Sequence, residues 1–285
     1  MTIIVGVDGS VSSAHAMAWA LDEARCRGVD VLLVHAWTYA LGGHTAVAQN
    51  LALLAAASQE LLDVRVSQAR ADAPDVTVEG KLVQQAPAAA LVDASRDGDL
   101  LVVGSRGHGS AASLFVGSVA DACVRHAHAP VVVIRPEAVA QPGGPIVVGV
   151  DGSECAASAL AWAMREAALH AAPLTVLHAW RPPYATDLTV MTASPDDDAR
   201  LEEAARRRLD TAVALAAATT GIPVVTPHLV RDEAASALLA EAAGAALLVV
   251  GTRGGGGFAG LVLGSVSRRC LHAAPCPVVV TRGEE

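Results

Sequence analysis

The chain has 285 residues, 29 acidic against 20 basic side chains for a formal net charge of −9, 53% apolar residues and only 3% aromatic ones. That length allows one large or two ordinary domains, the apolar fraction excludes a disordered composition, and an acidic balance without a basic block excludes a phosphate-backbone footprint for nucleic acid. No apolar run reaches the roughly 18 residues of a membrane span, and the opening MTIIVGVDGS lacks the basic start and apolar stretch of a signal peptide.

Taken in chain order, Ile3 to Val5 form a short apolar run that predicts a first strand. It is followed by GVDGS, Gly6 to Ser10, and then by Ala14, Met17, Ala18, Leu21 and Ala24 at helical spacing. Val31 to Val34 predict a second strand, leading into His35-Ala36-Trp37, and an Ala/Leu-rich helix is expected from about Ala46 to Ala73. A third strand over Val76 to Leu82, a helix over Ala86 to Ser95 and a fourth strand over Leu100 to Val103 follow. A glycine-rich loop, a helix from Gly117 to His126 and a closing strand from Val131 to Ile134 complete the unit.

The stretch PEAVAQPGGP, Pro136 to Pro145, has the Pro and Gly content of a linker. Beyond it the chain says the same thing again. GVDGS returns at Gly149 to Ser153, Trp19 as Trp162, and His35-Ala36-Trp37 as His178-Ala179-Trp180, all displaced by 143 residues. Ala157, Leu160, Ala161, Met164 and Ala167 repeat the first helical face, and a long helix is expected from about Asp197 to Thr220. The loop GSRGHGSAASLFVGSV from Gly104 has a twin, GTRGGGGFAGLVLGSV from Gly251, displaced by 147, and Pro130 to Val133 returns as Pro277 to Val280. The expected organisation is a first domain over 1–136, a linker over 137–145 and a second domain over 146–285. Strands that alternate with helices and are nearly continuously apolar point to a parallel sheet covered on both faces, so each copy reads as a five-stranded doubly wound α/β domain.

Such sheets bind ligands outside the carboxyl ends of their strands, where the two glycine loops fall. A helix start there offers unsatisfied N–H groups and partial positive charge to phosphate, and glycines let the backbone come close to it. Ser118 and Ser265 stand where an N-cap belongs, and Arg106 and Arg253 could assist. Gly255-x-Gly257-x-x-Gly260 matches a dinucleotide fingerprint in letters only: it follows the fourth strand rather than the first, and Ser110 and Ser113 break it in the first copy. A phosphate loop of the GxxxxGK[ST] kind is excluded, because Lys81 is the chain's one lysine.

Both copies keep Gly104-x-x-Gly107, nine residues, Gly117-Ser118 and Gly251-x-x-Gly254, nine residues, Gly264-Ser265. With GVDGS, LVHAW and LHAW, and the closing PVVV, this resembles the universal stress protein family, whose ATP-binding members carry G-x2-G-x9-G-[ST], and in particular its tandem-domain class. The resemblance covers essentially the whole chain. It implies strand order 3-2-1-4-5 and ATP, with Mg2+, at the switch between strands one and four. Gly6, Val7, Asp8 and Gly149, Val150, Asp151 would then border the nucleoside, and Ala36 and Ala179 would offer backbone contacts to adenine. Gly104, Ser105, Arg106, Gly107, His108, Gly109, Ser110 and Gly251, Thr252, Arg253, Gly254, Gly255, Gly256, Gly257 would wrap ribose and phosphates. Gly117, Ser118, Val119 and Gly264, Ser265, Val266 would hold phosphates at the helix start. The first copy departs from the second at His108, Ser110 and Ser113, so unequal affinities are expected, with the second site the stronger.

Plainer readings stand beside these. Asp8 and Asp151 suit the start of a turn as well as a ligand. His35 and His178 end apolar strands and read as structural, His126 and His128 as a solvated helix end, and Asp196 to Asp198 as a helix start that complements the dipole. Cys26, Cys123, Cys155, Cys270 and Cys276 are odd in number and form no CxxC pair, and read as reduced thiols of a cytoplasmic protein. The function expected is an ATP-binding regulator of stress response or growth control, acting through nucleotide-dependent conformation or an unidentified protein partner. A slow ATPase or phosphotransferase and a nucleotide-free interaction scaffold stay open, although no repeated general base stands at the loop. The closing strands of the two copies are expected to pair within the chain as a pseudo-dimer, and a homodimer is compatible with them; no nucleic acid, membrane or metal-site partner is expected.

Overall fold

Short runs of Ile, Leu and Val form the central strands of each unit's parallel sheet, because strands covered on both faces must be apolar throughout. The computed structural model describes residues 1–38, 47–107, 116–182, 195–255 and 263–283, and the chain divides into two compact units, Met1–Glu137 and Ala138–Glu285. In the first unit the elements are β1 (Thr2–Gly6), α1 (Val11–Arg27), β2 (Asp30–Trp37), α2 (Val47–Asp72), β3 (Val78–Gln84), α3 (Pro87–Ala94), β4 (Leu100–Gly104), α4 (Ser118–His126) and β5 (Val131–Ile134). The strands are parallel in the order β3-β2-β1-β4-β5, with Val5 facing Leu33 on one side and Val102 on the other.

The second unit repeats this with β6 (Ile146–Gly149), α5 (Glu154–Leu169), β7 (Leu174–Ala179), α6 (Pro195–Ala217), β8 (Val225–Val230), α7 (Ala234–Glu241), β9 (Leu247–Gly251), α8 (Ser265–Ala273) and β10 (Val278–Thr281). Its order is β8-β7-β6-β9-β10, again all parallel. Each unit is thus a five-stranded doubly wound domain of order 3-2-1-4-5. The strand order reverses between β1 and β4 in one unit and between β6 and β9 in the other, which opens a crevice beyond the strand ends.

Three expectations need correction. The strands are not all apolar: β3 carries exposed Glu79, Gly80 and Lys81, and β8 exposed Thr226, Pro227 and His228. Both lie outermost in their unit and are left half-wet, and only there can a proline enter a sheet without removing a needed ladder bond. Second, β3 starts at Val78 rather than Val76, because the Val76 N–H closes a turn onto the Ala73 carbonyl at 3.1 Å. Third, β2 continues through Trp37, so His35-Ala36-Trp37 lies in the strand, in register with Leu82 to Gln84. The start of the second unit is hydrogen-bonded to the rest of it: Val139 N–H donates to Pro275 O at 2.8 Å and Gln141 N–H to Ala245 O at 3.3 Å.

Candidate functional site

The two GVDGS turns are built alike from the residues upward. The strand ends at Gly6 and Gly149, where a Cβ would lie 2.9 Å from Leu91 Cδ1 and 3.1 Å from Leu238 Cδ1. Val7 and Val150 are buried. Asp8 Oδ1 accepts from Ser10 N–H, and Asp151 Oδ1 from Ser153 N–H, each at 3.0 Å. Gly9 and Gly152 both take φ of +85°, open to glycine at no steric cost. Ser10 and Ser153 then cap α1 and α5, accepting from Ser13 N–H at 3.1 Å and Ala156 N–H at 3.2 Å. His35 and His178 are structural: Nδ1 donates to the Val7 carbonyl at 2.7 Å and the Val150 carbonyl at 2.6 Å, tying the second strand to the turn.

The second aspartate oxygen faces the glycine loop. Asp151 Oδ2 accepts from Gly255 N–H at 2.7 Å. A Cβ on Gly254 would lie 2.4 Å from that oxygen, and one on Gly107 would lie 2.6 Å from Asp8 Oδ2. The aspartate therefore latches the loop to the GVDGS turn, and the second glycine of G-x2-G is needed to let it close. Burial pushes the Asp151 carboxyl up, but hydrogen bonds from Ser153 and from the Gly255 N–H, with His178 nearby, outweigh it and hold it below the usual carboxylate range. The first glycine of the motif has another neighbour. A Cβ on Gly104 would sit 2.7 Å from the Ser12 carbonyl carbon, and one on Gly251 would sit 2.7 Å from that of Cys155. Both glycines let a strand end pass against the first turn of a helix.

The third glycine starts the helix that follows the glycine loop, which corrects the sequence reading of Ser118 and Ser265. The N-caps are Gly117 and Gly264, with φ of −63° and −71° and no side-chain cap bond, and the serines are the first helical residues. The Gly–Ser order misleads because Ser is the better capping residue by propensity. Here the glycine is fixed by its own N–H, which donates to the Ser105 carbonyl in one unit and the Thr252 carbonyl in the other, each at 2.7 Å. The first turns of α4 and α8 are therefore left without a side-chain cap and border a cavity.

That cavity occurs in both units. In the first it is about 420 Å³ and is lined by Gly6, Val7, Asp8, Ala36, Gly104, Ser105, Arg106, Gly107, Gly117, Ser118 and Val119, together with Ser13, Val34, Pro87, Leu91, Val103 and Ala120. In the second it is about 290 Å³ and is lined by Gly149, Val150, Asp151, Ala179, Gly251, Arg253, Gly254, Gly264, Ser265 and Val266, with Ala156, Leu177, Ala234, Leu238, Val250 and Ser267. Two expected residues stand back from it. Thr252 is buried with Oγ1 3.6 Å from Cys155 Sγ, and Gly255 is held by Asp151. His108, Gly109, Ser110, Gly256 and Gly257 lie outside the described residues.

A sequence profile of the universal stress protein family matches residues 1–135 and again 144–282. The chain belongs to the universal stress protein family. The universal stress protein Rv2623 of Mycobacterium tuberculosis is 35% identical over 291 residues, covering 98% of this chain and 96% of its own. The universal stress protein Rv1996 of the same organism is 33% identical over 306 residues, covering 98% and 94%. A crystal structure of a universal stress protein from Archaeoglobus fulgidus matches with a TM-score of 0.72 at 20% identity, over 99% of this chain and 98% of that one, which bears on the fold alone.

In this universal stress protein the apolar cavity walls escaped the sequence reading. Leu91 and Leu238 look like core leucines, and only the topology brings them to the strand ends. Arg65 escaped it too, although it returns as Arg208 at the 143 offset. From the long helix Arg65 Nη2 donates to the Gly9 carbonyl at 3.1 Å, and the Arg208 side chain passes Gly152, with Cδ 3.7 Å from where a Cβ would be.

Proposed function

We propose that each unit binds one adenine nucleotide, ATP with Mg2+, and that occupancy alters loop order and partner binding in a regulatory role in stress response or growth control. The observation that carries this reading is the pair of cavities at equivalent crossover points, each joining an apolar wall to an uncapped helix start. Val34, Leu91 and Val103 in one unit, and Leu177, Leu238 and Val250 in the other, suit the faces of a base. The free N–H groups of the first turns of α4 and α8 suit phosphate oxygens, and Arg106 and Arg253 stand at the same end. The volumes are near the lower end of the roughly 300–1,000 Å³ of small-molecule sites. Mg2+ fits as an ion held through phosphate oxygens and water, since both oxygens of Asp151 already accept hydrogen bonds. When bound, it would neutralise phosphate charge. A regulator needs ATP to bind one conformation better than another, and the Asp151–Gly255 latch is an element that a ligand in the loop would bias.

Mass spectrometry of the denatured, purified protein should release adenine nucleotide, and calorimetry with MgATP should give saturable heat that Gly117→Val and Gly264→Val each reduce. A folded protein that releases no nucleotide and shows no heat with MgATP overturns the reading.

A further inference from the structure

The two cavities are built from the same elements, yet the helices whose first turns border them, lined as far as Ala120 and Ser267, carry opposite charge at the next residue. The fourth residue of α4 is Asp121, and the fourth residue of α8 is Arg268. Their N–H groups donate to the carbonyls of Gly117 and Gly264, each at 3.0 Å, so each stands one turn above the capping glycine that borders its cavity. Helical side chains lean toward the helix N-terminus, which brings these two charges over the uncapped turn. A carboxylate there complements the helix dipole and an arginine opposes it. Asp121 is in addition paired with Arg125, Nε to Oδ2 at 2.8 Å, whereas Arg268 is exposed and has no ion pair among the described residues. Helix stability alone favours the first arrangement, so the second breaks a local rule where an anion is expected, as functional sites do.

Several neighbouring positions add positive charge to the second unit, while Gln85 and Ala86 correspond to acidic Asp232 and Glu233, and Arg125 to His272, which offset part of it. Ala122 of the first unit corresponds to Arg269, and Thr38 to Arg181. Gln84, the last residue of β3, corresponds to Arg231, which lies over the Trp180 ring at 5.2 Å and is paired with Asp198 at 2.7 Å. Arg269 is bound to Glu233 and Ser236. The Arg-x-Glu after each closing strand, Arg135 and Glu137 or Arg282 and Glu284, is common to both copies and does not separate them. The cavity volumes run the other way, so discrimination rests on charge alone.

Building on the adenine-nucleotide reading, we propose that the two sites select nucleotides by phosphate charge. The second, with Arg268 one turn above its uncapped helix start, gains affinity with each added phosphate, and the first, with Asp121 there, gains much less. Calorimetry of the full chain with AMP, ADP and ATP tests this, using Gly117→Val to isolate the second site and Gly264→Val the first. The ATP-to-AMP affinity ratio at the isolated second site should exceed that at the first by about tenfold, equal to about 1.4 kcal/mol. Arg268→Asp should remove the excess and Asp121→Arg should create it in the first site, and high salt should compress the difference. Arg268 is exposed and Arg268→Asp suits the dipole, so its thermal unfolding should register an intact fold; Asp121→Arg loses the pair with Arg125, so its melting temperature is read alongside its affinities. Equal ratios at the two sites, or an Arg268→Asp protein that keeps the full ratio, overturn the proposal. Failure of the unaltered chain to bind any adenine nucleotide overturns the nucleotide reading and this proposal with it, a result distinct from equal ratios.

Discussion

Gly251 and Gly264 of GTRGGGGFAGLVLGSV, each repeated in the first copy, do different work, and alanine separates it. At Gly251 an added Cβ would meet the Cys155 carbonyl carbon and oxygen at 2.7 Å and its Cβ at 2.8 Å, where ordinary contact begins near 3.4 Å. The obstacle is backbone in the first turn of α5, so relief requires the helix to move off the end of β9. Overpacking of this kind costs about 1–3 kcal/mol, and the reduced freedom of the unfolded chain returns about 0.4–1 kcal/mol. We expect a net loss of about 1–2 kcal/mol, or about 4–8 °C in melting temperature at about 4 °C per kcal/mol for a unit of this size. At Gly264 a Cβ would lie 3.4 Å from the Thr252 carbonyl oxygen, and φ of −71° suits any residue. Alanine is a poorer N-cap than glycine by under about 1 kcal/mol, which the same entropy term offsets, so the melting temperature should move by about 2 °C or less. Its effect should appear instead as weaker MgATP binding. Thermal unfolding followed by circular dichroism, with calorimetry on each protein, reads both quantities. If Gly264→Ala lowers the melting temperature as much as Gly251→Ala does, the assignment of the first glycine to packing is wrong.

Two further outcomes follow from the same geometry. Asp151→Asn should cost about 1 kcal/mol at neutral pH by weakening the acceptor of the Gly255 N–H. Because the folded carboxyl titrates below its ordinary value, its stabilisation is present above the unfolded value of about 3.9 and lost as pH falls through the folded one. The difference between the two proteins in urea denaturation should therefore shrink in acid, and a gap that stays constant down to pH 3 would contradict the latch. Burial pushes the thiols of Cys123, Cys270 and Cys276 up to about 12. For Cys155 burial also raises the value, but hydrogen bonds from Thr252 and the Gly283 and Arg253 N–H groups outweigh it and hold the thiol below its usual range. Iodoacetamide at pH 8 should modify Cys155 and exposed Cys26 while sparing the other three, as peptide mass mapping would reveal; modification of Cys123 or Cys270 at a comparable rate would refute the burial reading.

Much of the fold is written in the chain because a doubly covered strand leaves a short apolar run, such as Leu100 to Val103, that few other structures require. The duplication made each assignment twice. What was hidden depends on neighbours distant in sequence. Gly104 and Gly251 line the cavities, but the close approach of Ser12 and Cys155 behind them has no trace in the sequence. Leu91 and Leu238 have the same letters whether they fill a core or a cavity wall. Ser118 and Ser265 outrank glycine as caps by propensity, yet the amides of Gly117 and Gly264, held by the Ser105 and Thr252 carbonyls, decide where the helices begin. The polarity of β3 and β8 was legible, since VEGKLVQ and VTPHLV carry it in their letters and strand order 3-2-1-4-5 puts the third strand of each unit outermost.

Pro227, in the middle of β8, has a consequence beyond this molecule. A strand at the margin of a sheet offers its free amides to any other extended chain, and a proline there removes one donor from the row. Charged Glu79 and Lys81 blunt the matching margin on β3. In each unit one margin of a sheet whose other strands are rich in Val, Leu and Ile is thereby made a poor template for an extended chain from another molecule.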